Sequence, residues 1–211
     1  MRPVVHVNCA MSADGKIAGT ERKQIRISSD EDMARVMQMR RNCDGILVGV
    51  GTVISDDPRL TVKGDVTSGP TRVVLDSHGR TPDDNKILDG SVKTIIVTCE
   101  GCTREWKNAK TIRTGKNTLN LVKTLDILHD DFKINDLLVE GGGRTIASFF
   151  KEDLVDEYTV FVGGIIIGGA DSPTPADGNG WVTKDGLKMK LTDCRPLGNG
   201  ALLTFNPINR T

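Results

Sequence analysis

The chain has 211 residues, and its formal net charge is +0 because 28 basic residues balance 28 acidic ones. This balance argues against binding of nucleic acid through bulk electrostatics, and no stretch approaches the roughly 18 apolar residues of a membrane-spanning helix. The length suits one domain, so we expect a single domain over residues 1–211 that lies in the cytoplasm, with neither nucleic acid nor a membrane as a partner.

Short apolar runs and amphipathic segments alternate along the chain. The apolar runs predict strands at 3–8, 45–50, 71–76, 93–98, 136–140 and 158–162. Helical spacing of apolar residues predicts helices at 30–42, 119–129 and 145–150. Ser28 with Glu31 matches a capping box before the first helix, and Ser29 with Asp32 is the alternative. The last two segments, 187–191 and 201–205, predict an antiparallel pair.

This alternation predicts an α/β fold. Several of the strands are apolar on both faces, which is typical of a mainly parallel central sheet with helices on both faces. The final pair would add an antiparallel C-terminal hairpin to that sheet. Ligands of such sheets bind at the carboxyl ends of strands, so the residues that follow strands are the candidates for a site.

The strand at 45–50 ends in a glycine-containing stretch. Gly49 and Gly51 allow a ligand to approach the backbone, and Thr52 is a candidate cap for a following helix that faces a phosphate. The dinucleotide fingerprint is incomplete, because Ile54 occupies the place of its third glycine. A tight turn is therefore the commoner role of such glycines.

Two further strands end in residues suited to anions. After 71–76, Ser77 and Arg80 suit the 2′-phosphate of NADP, although a solvated turn is the commoner role of such a segment. After 136–140, three consecutive glycines at 141–143 precede a helix, so several backbone N–H groups can point at one anion, which favours pyrophosphate binding. Glu140 then lies at the strand end as an acceptor for a cationic or amino-bearing ring.

The five cysteines are typical of reduced thiols rather than of a disulfide framework, because their number is odd and they are scattered. Cys99 and Cys102 form a C-x-x-C, which on its own admits a redox or a zinc interpretation. No second such pair and no paired histidines accompany it, so we expect no metal site.

Taken in order, the motifs resemble those of the reductases of riboflavin biosynthesis. The resemblance is carried by NCAMSADGK at 8–16, VGVGTV at 48–53, DDPRLT at 56–61, VLDS at 74–77, LVEGGG at 138–143, LVDE at 154–157 and the glycine pair at 168–169. It covers the chain from Val4 to Phe205. Bacterial relatives fuse this domain to a zinc deaminase, whose H-x-E and P-C-x-x-C motifs are absent here. The chain therefore resembles the stand-alone archaeal and fungal type.

The resemblance implies a dihydrofolate reductase-like fold, a homodimer, and NADPH as the cofactor, with NADH as an alternative. It implies reduction of the ribosyl side chain of 2,5-diamino-6-ribosylamino-4(3H)-pyrimidinone 5′-phosphate to the ribitylamino product, by hydride transfer to C1′ of the ring-opened imine. The positions that it assigns to the cofactor are Thr52, Asp56, Ser77, His78, Gly79, Arg80, Gly141, Gly142, Gly143 and Arg144. The positions that it assigns to the substrate are Arg40, Leu60, Lys63 and Glu140.

The sequence departs from the family at two places. Gly163 and Gly164 stand where the family usually has Ala-Pro, and Ile165 follows in place of a basic residue. Arg144 stands where relatives often have a small or hydroxyl residue.

The candidate catalytic residues are Asp14, Lys16 and Glu140. Lys16 is expected to line the cleft near the nicotinamide, and a solvated turn is the alternative. Asp14, Asp56 and Glu140 are the candidate general acids, with a bound water as an equal alternative. Two other functions stay open: a pterin- or folate-type NADPH reductase of the same fold, and a non-enzymatic NADP-binding module.

Overall fold

A computed structural model describes residues 1–23, 25–62, 69–182 and 186–208. Its strands are β1 (Val4–Ser12), β2 (Gly45–Gly49), β3 (Thr71–Leu75), β4 (Thr94–Thr98), β5 (Lys110–Arg113), β6 (Asp136–Gly141), β7 (Glu157–Gly163), β8 (Met189–Leu197) and β9 (Gly200–Pro207). Its α-helices are α1 (Asp30–Asn42), α2 (Val50–Asp56), α3 (Leu121–Asp130) and α4 (Gly143–Lys151), and a 3₁₀ helix, η1, spans Lys86–Leu88.

The chain divides into two compact units. One, here called unit 1, comprises Met1–Val4 and Met37–Val139, and the other, unit 2, comprises Val5–Val36 and Glu140–Thr211. Within the described ranges the strands follow the order β5-β4-β3-β2-β6-β1-β7-β9-β8 in a nine-stranded sheet. Strand β6 has residues in both units. The α/β fold with a mostly parallel sheet is therefore confirmed.

Unit 1 is built on parallel strands that are buried on both faces. Leu47 of β2 lies opposite Val73 of β3, and Val73 lies opposite Ile95 of β4. Every residue of β2 and β4 is buried, as their continuous apolar runs predicted. A hydrophobic cluster at these strands consists of Ile46, Val48, Val50, Val53, Leu60, Val74, Ile87, Leu88, Ile96, Trp106 and Leu138. Because these strands run parallel, their carboxyl ends, and the loops that follow, lie at one edge.

Unit 2 combines a parallel and an antiparallel pairing. Strand β1 pairs with β7 in parallel, and β7 pairs with β9 in the antiparallel sense. Strands β8 and β9 form the antiparallel C-terminal hairpin that the sequence predicted, although β8 extends further, to Leu197. Within the described part of the chain, no helix combines the length and the apolar character needed to cross a membrane.

The helix predicted at 30–42 is confirmed as α1, but its cap differs from the first expectation. The amide of Asp32 donates to the hydroxyl of Ser29 at 3.2 Å. Ser29 is therefore the capping residue, and the capping box of Ser28 with Glu31 is wrong.

A buried arginine joins several segments of unit 1. The side chain of Arg72, on β3, is 0% exposed and forms an ion pair with Asp89 at 3.1 Å. It also donates to the hydroxyl of Ser91 at 3.1 Å and to the carbonyl of Val92 at 2.9 Å. Burial raises the pKa of Asp89, but hydrogen bonds from Ser91 and Arg72 together outweigh this effect, so the pKa lies below its usual value. The loop after η1 is thus held by charge and by hydrogen bonds together.

Removing Arg72 should destabilise unit 1 strongly, because Asp89 would lose a buried partner. We expect Arg72→Met to lower the free energy of unfolding by about 3 kcal/mol. Arg59→Gln is the matched control, since Arg59 pairs with the same carboxylate at 3.0 Å from an exposed position, and it should cost less than about 1 kcal/mol. Denaturant unfolding of both variants measures the difference, and equal losses would contradict a special role for the buried arginine.

Candidate functional site

The loop after β3 presents exposed polar side chains from a tightly held backbone. His78 and Arg80 are exposed, Ser77 is half-buried, and Gly79 has a φ of 68°. Arg80 forms no hydrogen bond or ion pair with a described residue. Asp76, at the strand end, accepts from the amide and the hydroxyl of Thr81 at 2.7 and 2.8 Å, which closes the loop. The four residues predicted to contact the 2′-phosphate therefore form one surface loop.

The segment after β2 differs from its prediction in one respect. Helix α2 begins at Val50, and its cap is Gly49, which has no side chain to donate or accept. Thr52 lies inside the first turn and is half-buried, so its prediction as a helix cap is wrong. Asp56 is the last residue of this helix, and its carboxylate accepts from the hydroxyl of Ser55 at 2.7 Å.

Asp57, which lies in the DDPRLT motif but had no predicted role, caps the carboxyl end of α2. It adopts a left-handed conformation with a φ of 42°. Its carboxylate accepts from the side-chain amide of Asn85 at 2.9 Å and from the backbone amide of Lys86 at 2.8 Å. The hydrogen bonds from Asn85 and Lys86 lower the pKa of Asp57 to about 2. Two adjacent aspartates in DDPRLT thus have separate tasks, which the sequence alone does not distinguish.

Two of the residues predicted to bind the substrate, Arg40 and Leu60, lie in unit 1, and they differ in their surroundings. Arg40 lies in the last turn of α1, and its guanidinium donates to the carbonyl of Thr61 at 3.4 Å. Leu60 is 5% exposed within the hydrophobic cluster and has a φ of 50°, so its side chain packs inward. Lys63 lies outside the described residues.

In unit 2, the glycine stretch after β6 forms the start of α4. Glu140 is half-buried at the end of β6, and the Gly141–Gly142 peptide bond is cis. Gly142 caps α4 without a side-chain hydrogen bond, so the first N–H groups of the helix have no side-chain acceptor there. A Cβ on Gly141 would meet no heavy atom within 4 Å, whereas one on Gly143 would lie 2.3 Å from the carbonyl oxygen of Thr174. Arg144 is exposed on the first turn.

Asp14 and Lys16 lie in the turn after β1 and bind the loop after β7. The carboxylate of Asp14 accepts from the amides of Ile167 and Gly168 at 3.1 and 2.7 Å, and from the hydroxyl of Ser12 at 2.5 Å. The ammonium of Lys16 donates to the carbonyl of Ser172 at 3.3 Å. Both side chains therefore hold this loop in place.

The same hydrogen bonds fix the protonation state of Asp14. The hydroxyl of Ser12, followed by the amides of Ile167 and Gly168, lowers the pKa of Asp14 to about 2. A carboxyl group ionised at neutral pH has no proton to donate, which argues against Asp14 as a general acid.

The glycine pair that departs from the family pattern lies in a closely packed part of unit 2. A Cβ on Gly163 would lie 2.8 Å from the carbonyl oxygen of Ile27, and one on Gly164 would lie 2.8 Å from that of Asn199. Gly163 also lies opposite Gly200 in the β7–β9 pairing. Backbone segments therefore approach the end of β7 too closely for a side chain.

The C-x-x-C turn carries two cysteines of unequal exposure. Cys99 is buried and Cys102 is half-buried, and both are free thiols. Among the residues that the structure describes, no group of three or more His, Cys, Asp or Glu side chains is placed to hold a metal ion.

The mostly parallel sheet, the antiparallel C-terminal hairpin and the glycine stretches at strand ends define an α/β protein of the dihydrofolate reductase-like class. The model of the RibD C-terminal domain family matches residues 3–203. The chain belongs to this family.

Named relatives cover the chain almost completely. A protein of Archaeoglobus fulgidus named 2,5-diamino-6-ribosylamino-4(3H)-pyrimidinone 5′-phosphate reductase is 41% identical over 219 residues, which cover 97% of this chain and 98% of that protein. A protein of the same name from Methanothermobacter thermautotrophicus is 38% identical, with the same coverage of 97% and 98%. These names support an oxidoreductase.

Solved structures agree on the fold. A structure of Acinetobacter baumannii RibD has a TM-score of 0.84 at 24% identity, and it is matched over 98% of this chain and 58% of that one. This chain thus spans little more than half of that protein. A structure of the Saccharomyces riboflavin biosynthesis reductase Rib7 has a TM-score of 0.78 at 20% identity, with coverage of 98% and 90%.

Replacing Asp14 should loosen the loop that it holds. In Asp14→Asn one carboxylate oxygen is replaced by an NH2 group, which cannot accept a hydrogen bond, so the two backbone amides lose one of their acceptors and we expect faster hydrogen exchange at Ile167 and Gly168. In the unaltered protein the pKa of Asp14 is about 2, below the usual 3.8. The protection of the amides of Ile167 and Gly168 should therefore be unchanged from pH 7 to about pH 4 and should be lost as the pH falls towards 2.

Hydrogen exchange resolved to single amides measures this effect. Asp171→Asn is the matched control, since Asp171 is an exposed aspartate of the same loop without a hydrogen bond or ion pair to a described residue. Equal rates of hydrogen exchange at Ile167 and Gly168 in the two variants would contradict the conclusion that Asp14 fixes this loop.

Proposed function

We propose that this chain, as a single reductase domain over residues 1–211, reduces 2,5-diamino-6-ribosylamino-4(3H)-pyrimidinone 5′-phosphate with NADPH in riboflavin biosynthesis. The product carries a ribitylamino side chain in place of the ribosylamino one. The observation that carries this proposal is the identity of 41% along the whole length of a relative that bears the name of this reductase.

The residues present fit a dinucleotide phosphate. Half-buried Ser77 and exposed His78 and Arg80 provide hydrogen-bond donors and a cation that suit a 2′-phosphate. The start of α4, with no side-chain cap and open space at Gly141, suits a pyrophosphate, and Arg144 lies beside it. NADPH, when bound, supplies the hydride that C1′ of the ring-opened imine accepts. Thr52 and Asp56 complete the proposed set of cofactor contacts, and NADH is the alternative cofactor.

The protein residues then position the substrate and handle its charge. Arg40 and Lys63 are the proposed cations for the substrate phosphate. Leu60 is limited to a backbone contact, because its side chain lies in the core. Glu140, half-buried at the strand end, accepts from the amino groups of the pyrimidine.

The proton that the reduced side chain gains needs a donor. Asp14 is ionised at neutral pH and engaged in three hydrogen bonds, so its proposed part is to hold the loop together with Lys16. Glu140 and Asp56 are left as side-chain candidates for the acid, beside a bound water.

A turnover assay tests the proposal and its two rivals. We expect oxidation of NADPH with the diaminopyrimidine ribosylphosphate and none with dihydrofolate. Turnover of dihydrofolate alone would favour a folate-type reductase, and binding of NADPH without any turnover would favour a non-enzymatic module.

A homodimer is part of the proposal, and light scattering coupled to gel filtration measures it.

Lys63 gives a sharper test of the phosphate contact. Lys63→Ala should raise KM for the pyrimidine at least tenfold, as expected of a lost charge-assisted contact of about 1.5–3 kcal/mol, and leave the affinity for NADPH nearly unchanged. Lys133→Ala is the control, because Lys133 precedes the amino end of β6 and donates only to the nearby carbonyl of Asp130. Equal losses for substrate and cofactor would contradict this role for Lys63.

A further inference from the structure

The loop after β3 is held from behind by the segment that follows β4. The amide of Cys99 donates to the carbonyl of Ser77 at 3.1 Å. The guanidinium of Arg104 donates to the carbonyl of Gly79 at 2.7 Å, and the indole of Trp106 donates to that of Thr81 at 2.9 Å. Alternate carbonyl groups of the loop are therefore bound by the one segment at 99–106.

This arrangement fixes which side of the loop faces solvent. The carbonyls of Ser77, Gly79 and Thr81 are turned towards 99–106, and the side chains of His78 and Arg80, which alternate with them along the loop, are exposed. Gly79 makes the close approach feasible, because a Cβ there would lie 2.8 Å from the sulfur of Cys102. Its φ of 68° also favours glycine.

Arg104 is the one charged side chain among these three donors, and its own position is fixed. It forms an ion pair with Asp83 at 3.0 Å and lies over the ring of Trp106, 4.9 Å from the centroid. A planar guanidinium held in this way keeps its direction, so its hydrogen bond to Gly79 is directional as well as strong. It also places a second positive charge behind the loop that carries Arg80.

We propose that Arg104 is a positioning residue that makes the protein prefer adenosine ligands with a 2′-phosphate. It acts through the carbonyl of Gly79, which sets the direction of Ser77 and Arg80. The proposal deepens the function proposed above and rests on it, because it takes the loop at 77–80 to be the 2′-phosphate contact.

Binding of small adenosine phosphates tests this without any turnover. Calorimetry with adenosine 2′,5′-bisphosphate and with adenosine 5′-phosphate gives the preference directly. We expect the unaltered protein to bind the bisphosphate more tightly than the monophosphate. Arg104→Gln should bind the bisphosphate about tenfold more weakly, as expected for the loss of one charge-assisted hydrogen bond, and should bind the monophosphate with unchanged affinity. Arg104→Lys, which keeps the charge and one donor, should recover part of the preference.

Arg113→Gln is the matched control. Arg113 is also half-buried and binds the same segment, at the carbonyl of Cys102 at 2.7 Å, at the backbone carbonyl of Arg104 at 3.3 Å and at Glu105, but it has no hydrogen bond to the loop at 76–81. It should leave the preference unchanged. A loss of both ligands in equal measure in Arg104→Gln, or the same change in Arg113→Gln, would mean that Arg104 only stabilises the fold.

The steady-state parameters provide a second measurement. Arg104→Gln should raise KM for NADPH while kcat and KM for the pyrimidine stay the same. An unaltered protein that binds both adenosine phosphates alike would overturn this inference, whatever the turnover assay shows. A clear preference without reduction of the pyrimidine would instead overturn the proposed function and leave the role of Arg104 standing.

Discussion

A parallel sheet brings many loops to one edge, and the backbone groups of those loops need hydrogen-bond partners. In this protein aspartate carboxylates repeatedly meet that need, because each can accept several N–H groups at once. Asp76 accepts from the amide of Thr81, Asp57 from that of Lys86, and Asp177 from that of Thr174. Asp14 accepts from two amides of the loop after β7. The loops with the candidate functional residues depend on these side chains for their shape.

This use of aspartate separates residues that hold loops from residues that face ligands. Asp57 binds backbone while its neighbour Asp56 ends α2, and Asp76 is fully buried beside the exposed loop that it closes. Hydrogen bonds lower the pKa of Asp57 and that of Asp14 to about 2, so neither carboxyl group has a proton to donate near neutral pH. The chemistry is thereby left to a smaller group of side chains, among which Glu140 is half-buried at a strand end.

The sequence predicted the buried strands well, because short continuous apolar runs such as those of β2 and β4 are typical of strands covered on both faces. It did not predict β5, whose residues are mostly polar and of which Ile112 alone is buried. It suggested a helix after Thr52 but misplaced the start of α2, which begins at Val50 and is too short to show a helical period. The candidate site divides in the same way: glycine stretches at strand ends are visible in sequence, whereas Arg104 contacts Gly79 across 25 residues that no local pattern connects.

Gly163 of β7 and Gly200 of β9, which lie opposite each other, constrain how the C-terminal hairpin pairs with the sheet. A Cβ on Gly200 would lie 2.2 Å from the carbonyl oxygen of Val162 and 2.7 Å from the ring of Phe161. A slip by one residue would bring Asn199 or Ala201 to that place, where a side chain cannot fit. Gly163 and Gly200 thus oppose a slip of the last strand by one residue in either direction.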